Sequence, residues 1–130
     1  MATARAASLM AAALLAAAGH SAHATGVPAV LTAAAYTYAP GDTDTPGLEL
    51  HVFQGSQLVF VNADPLGAHA VTSEDTDTRG YPLFNADAIN MGLAADVSGV
   101  SALAPGRYPF YCYVHAPSMT GVLVVDPLPV

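Results

Sequence analysis

The sequence has a single cysteine, no lysine and only three arginines in its 130 residues. One cysteine cannot close an internal disulfide, so Cys112 is a free thiol, half of an intermolecular bridge or a metal ligand. Against so few cations stand ten carboxylates, for a formal net charge of −7. Such a surface repels nucleic acid and anionic lipid and favours basic protein partners through long-range steering, besides keeping the chain soluble. Phosphate-binding glycine loops, haem-attachment motifs and basic patches are missing as well. Beyond the N-terminal segment there is no helical stripe of useful length, no internal repeat and no low-complexity tract.

What is present begins with a leader. Arg5 precedes a run from Ala6 to Ala18 of almost only Ala, Leu and Met, and Ala22-His23-Ala24 gives a small-x-small cleavage pattern. Together these predict a secretory signal peptide over residues 1–24. The apolar run is too short to span a membrane, and no cysteine near the cleavage point offers a lipid anchor. Residues 25–130 then form one small domain, exported to the periplasm or outside the cell. Losing Arg5 leaves Arg79 and Arg107 as its only cations apart from histidine.

Along that domain, Val30 to Tyr38 reads as a first strand, and the turn formers of Ala39-Pro-Gly-Asp-Thr-Asp-Thr-Pro-Gly47 as a loop. Leu48, Leu50 and Val52 alternate with Glu49 and His51, the period-two pattern of a half-buried strand. Gln57 to Asn62 follows as a strand, which the loop Ala63-Asp64-Pro65-Leu66-Gly67 ends because proline lacks the ladder donor. His69 comes next, then a short strand at 70–72 and an acidic loop at Glu74 to Asp77. Residues 78–93 read as irregular with a helical turn, 94–100 as a strand, and 108–112 and 121–126 as strands flanking a short loop. Short strands between Pro/Gly turns at this spacing predict an all-β sandwich or barrel.

That last loop carries the chemistry. Cys112, His115 and Met119 place a thiolate, an imidazole and a thioether within eight residues. Taken alone, Cys112 is more often a small core hydrophobe and Met119 a core residue, but Cys-x2-His-x3-Met in a loop has no packing explanation. Such donors suit copper, and two His with one Cys and a weak axial Met is an electron-transfer arrangement. The second imidazole is assigned to His69: His20 and His23 leave with the leader, and the face of His51 opposes Leu50 and Val52, so it is expected on the surface. Met91 matches no ligand motif.

Val59-Phe-Val-Asn-Ala-Asp-Pro-Leu-Gly-Ala-His69, with Gly106-Arg-Tyr-Pro-Phe-Tyr-Cys-Tyr-Val-His-Ala-Pro-Ser-Met119 and the following Gly-Val-Leu-Val-Val, resembles the plastocyanin, azurin and pseudoazurin group of type 1 blue copper proteins, the cupredoxins. The resemblance spans roughly residues 46–126 and is nearest to the small plastocyanin-like members. It implies a Greek-key β-sandwich in which His69, Cys112 and His115 bind one copper ion in a plane and Met119 sits axially at longer range. It also implies that an asparagine placed like Asn62 braces the loop before the first histidine. Many members have Asn after that histidine and Ser or Thr after the cysteine; here Ala70 and Tyr113 stand there, so those side-chain hydrogen bonds are not carried over. The function implied is single-electron transfer between redox proteins by a monomer that is not an enzyme. The alternative is an exported copper-handling protein. Cys112 and His115 as nucleophile and base, and a structural zinc site, which a thioether fits poorly, are weaker readings; three histidines are too few for a multicopper oxidase.

Overall fold

Alternation decides which face of each strand is buried. In the computed structural model, which describes residues 28–34, 37–39, 48–116 and 118–129, nine strands form two sheets. The leader expected over 1–24 and residues 40–47 of the turn-rich loop lie outside the described residues. The strands are β1 (Ala29–Ala34), β2 (Thr37–Ala39), β3 (Glu49–Phe53), β4 (Leu58–Asn62), β5 (His69–Ser73), β6 (Asn85–Ile89), β7 (Ala94–Asp96), β8 (Gly106–Tyr111) and β9 (Thr120–Asp126). One sheet has the order β2-β1-β4-β7 and the other β3-β9-β8-β5-β6. The chain crosses repeatedly between them, and β1 with β4 and β3 with β9 are parallel neighbours. Of the two all-β architectures that the turn spacing allows, sandwich or barrel, this is the sandwich.

Leu50 and Val52 of β3 point into the core and Glu49 out of it, as their alternation requires. They meet Leu31, Phe60, Phe84, Phe110, Leu123 and Val125 from both sheets in one buried cluster. Each such side chain contributes about 1.5–3 kcal/mol by leaving water. β4 is buried along its whole length. Its Val59 and Val61 pack on a second, smaller cluster with Val30, which explains its nearly continuous apolar run.

Three sequence expectations need correction. The single strand over Val30–Tyr38 is two antiparallel strands, with Ala33 opposite Tyr38 and the Thr37 hydroxyl donating to the Ala34 carbonyl at 2.8 Å. Residues 78–93 hold no helical turn but contain β6, which pairs with β5; burial of Phe84 and Ala86 supplies the alternation that scattered turn formers hid. The strand expected over 94–100 stops at Asp96. Gly99 then takes φ 96°, a left-handed conformation that glycine adopts freely, and Val100–Ala102 turn as a 3-10 helix.

A side chain at residue 121 has no room: an added Cβ would lie 2.6 Å from Phe110 Cζ. Gly121→Ala is therefore expected to destabilise the fold by about 1–3 kcal/mol through overpacking, read as a lower midpoint in chemical denaturation with an unchanged slope.

Candidate metal centre

The loop from Cys112 to Met119 is folded by its own backbone. The His115 N–H donates to the Cys112 carbonyl at 3.1 Å and the Ser118 N–H to the His115 carbonyl at 3.0 Å, while the Cys112 N–H donates to the Met119 carbonyl at 3.0 Å. The last bond extends the β8–β9 ladder one step beyond the Tyr111–Thr120 pair. Cys112, His115 and Met119 thus sit on a hairpin end, and the Cys-x2-His-x3-Met spacing is the length of that connection.

His69 arrives from β5 in the same sheet. Its Nδ1 lies 3.9 Å from Cys112 Sγ, and His115 Nδ1 lies 3.6 Å from the same sulfur. The three donor atoms are all within 4.8 Å of one another, and the two rings are tilted at 46° with centroids 4.7 Å apart. An ion about 2.3 Å from sulfur and about 2.0 Å from nitrogen, as at zinc sites, would in a trigonal plane set sulfur and nitrogen about 3.7 Å apart. The observed separations straddle that value, so the donor set fits a single first-row ion. His69 and Cys112 are wholly buried, Met119 nearly so, and His115 is half-buried. His115 is therefore the ligand candidate that reaches solvent.

The structure brings together His69, Cys112 and His115 as the sequence reading placed them, with Met119 buried at the loop's end. His51 is elsewhere: its ring is partly exposed and lies between Glu49, at 3.2 Å, and Asp126, at 3.1 Å. Met91 is exposed on a turn.

Sequence reasoning missed Asp64. This fully buried carboxylate accepts the Leu66 N–H at 2.9 Å through Oδ1 and faces His69 Nε2 at 2.8 Å through Oδ2. A buried charge is tolerated only when paired and hydrogen-bonded. If Asp64 is ionised it can only accept, which would place a neutral imidazole's proton on Nε2 and turn the Nδ1 lone pair towards Cys112. Asp64-Pro65 had read as a turn signal, and that reading explained the residue too well. Asn62 does brace this loop, donating to the Gly67 and Ile89 carbonyls at 2.9 and 2.8 Å and accepting the Asp64 N–H at 2.9 Å.

At the two departures from the family pattern, other groups make hydrogen bonds. The Ala70 backbone N–H points to Cys112 Sγ at 3.3 Å, and the Tyr113 hydroxyl accepts the Ala88 N–H at 3.2 Å. Burial first, and then the Cys112 sulfur beside it, push the Tyr38 phenol well above the usual tyrosine range, so it remains a donor.

Solved structures share this arrangement of sheets. An amicyanin variant in its reduced Cu(I) form at pH 4 superposes with a TM-score of 0.57 at 25% identity, over 85% of this chain and 89% of that one. The cupredoxin fold is established. A purple cupredoxin from Nitrosopumilus maritimus gives a TM-score of 0.52 at 22% identity, over 75% of this chain and 98% of its own. The copper-containing nitrite reductase of Thermus scotoductus gives 0.58 at 21% identity, over 79% of this chain but only 23% of its own, so this chain corresponds to a part of it. No protein-family model matches the chain, and no curated protein matches it. The cupredoxin-like chain thus joins that sandwich to a His-Cys-His cluster able to hold one metal ion.

Asp64→Asn removes the buried charge behind His69 while keeping the shape. Metal affinity is expected to fall about 10–100-fold, the usual effect of losing a partner that orients a ligand. Competition titration against a chelator of known affinity measures it.

Proposed function

We propose that this cupredoxin-like protein carries single electrons through one type 1 copper ion that His69, Cys112 and His115 would hold, with Met119 as a weaker fourth donor. The observation behind it is the convergence of two imidazole nitrogens on one buried thiol. Copper, when bound there, supplies a one-electron couple, and soft sulfur donors beside imidazoles suit both of its oxidation states.

The chain's own residues do the rest. Cys112 would hold the ion as a thiolate, its thiol proton passing to solvent. An ionised Asp64 keeps the His69 proton on Nε2, and the hairpin bonds at Cys112 and Met119 hold the loop. Ligands fixed in this way move little when the charge of the ion changes. Burial of His69 and Cys112 excludes water, so electrons enter and leave at the exposed edge of His115. That edge is flanked in the chain by the exposed apolar side chains Tyr113 and Val114, and Leu66 is exposed on the loop that carries Asp64. An apolar surface of this kind suits a brief, small contact with a redox protein. Arg79 and Arg107 both face carboxylates, Asp77 and Glu49, so negative charge dominates and steers a basic partner. We take the chain to act as an exported monomer, in the periplasm or outside the cell. A protein that stores or delivers copper needs a labile, accessible site, and the burial of His69 and Cys112 disfavours that reading.

Copper(II) added to the purified domain is expected to give an intense visible sulfur-to-copper band that Cys112→Ser abolishes; a colourless loaded protein would contradict electron transfer. His115→Gly should bind external imidazole and regain the band. Stopped-flow reduction by a basic redox protein is expected to slow as salt rises towards 0.15 M, where charges are screened beyond about 8 Å; a rate insensitive to salt would remove the steering.

A further inference from the structure

Tyr38 is a buried titratable side chain with no part in ligation. It belongs to β2, in the sheet opposite the one that carries His69, Cys112 and Met119. Its ring is gripped edge-on by Phe60 and Phe110, with centroids 6.2 and 4.9 Å away. From there the hydroxyl crosses the sandwich, donates to the Ala70 carbonyl and lies beside the Cys112 sulfur.

Ala70 is an unusual place for such a contact. The β5–β6 register shifts between His69, opposite Ile89, and Val71, opposite Ala86, so the extra residue is on β6 and Ala70 is the single residue facing Asp87 and Ala88 across the bulge. Bulges of this kind re-aim side chains and free backbone groups from the ladder. Towards β8, on the other edge of the strand, the Ala70 N–H points to Cys112 Sγ at 3.3 Å while the preceding residue presents its ring to the same sulfur. A bulge is also a locally loosened stretch of sheet. The Tyr38 hydroxyl ties it from the far side of the core.

We propose that Tyr38 is a positioning residue for the metal centre: by pinning Ala70, which faces the β6 bulge, from the opposite sheet, it fixes the Ala70 N–H and the His69 ring against the Cys112 sulfur. The inference rests on the copper reading for its effect on the couple, though the strut itself does not. Hydrogen bonding around the cysteine sulfur tunes the potential of such sites. An N–H held on the sulfur draws electron density from it and weakens its donation to copper(II). Losing that alignment strengthens donation and lowers the reduction potential.

Tyr38→Phe removes one oxygen and keeps the ring between Phe60 and Phe110. In the metal-free variant, hydrogen exchange at the Ala70 amide is expected to quicken about tenfold more than at other amides of β5 and β8. In the loaded variant, copper affinity should drop about tenfold, the sulfur-to-copper band should shift and the reduction potential should fall. Uniformly faster exchange with unchanged affinity, band and potential would mean that Tyr38 only packs the core, and would overturn the proposal. Should the variant not fold, proton NMR of the wild-type chain decides: a slowly exchanging Tyr38 hydroxyl proton close to Ala70 is required, and one in fast exchange with water overturns it. Failure of the wild-type protein to bind copper would sink the electron-transfer reading, whereas the metal-free exchange comparison would still judge the strut.

Discussion

Two segments 43 residues apart must deliver donor atoms to one point at the end of a β-sandwich, and the sulfur of Cys112 is that point. Everything around it serves the convergence. The β8–β9 hairpin sets the Cys112 to Met119 spacing with its own backbone bonds, and β5, packed beside β8, brings His69 in from the other side. Three donors crowded in the core without an ion would waste hydrogen-bonding capacity. Asp64 on His69 Nε2 and the Ala70 N–H on sulfur take up part of it and leave the two Nδ1 atoms facing inward. These hydrogen bonds orient His69 and Cys112 without recourse to a metal bond.

Much of this was legible in the sequence because the relevant signals are local. Period-two alternation marked β3, the uninterrupted apolar run marked β4, and the Cys-x2-His-x3-Met spacing marked a loop between strands. Choosing His69 over His51 followed from the faces of β3 alone. The structure keeps the two apart, with His51 held by Glu49 and Asp126 at the surface.

What stayed hidden is non-local. β6 is a strand because it pairs with β5, and its Asn85-Ala-Asp-Ala-Ile89 sequence has no strong preference of its own. Alanines in β1 gave no sign that the chain doubles back to form β2. Asp64 looked like a turn former because Asp-Pro usually is one, and only three dimensions show its second oxygen on a buried imidazole. Ala70 lacks a polar side chain, so nothing in the sequence announced that its backbone would contact the sulfur.

The central claim is a preformed triangle of donors that accepts a single copper ion with little rearrangement. Crystal structures of the metal-free and copper-loaded protein test it most directly. Cys112 Sγ is expected to stay near its 3.9 Å and 3.6 Å separations from His69 and His115 Nδ1, with the ion between all three in the loaded form. A metal-free structure in which either ring is swung away from the sulfur by several ångströms, or an ion bound elsewhere, would contradict it.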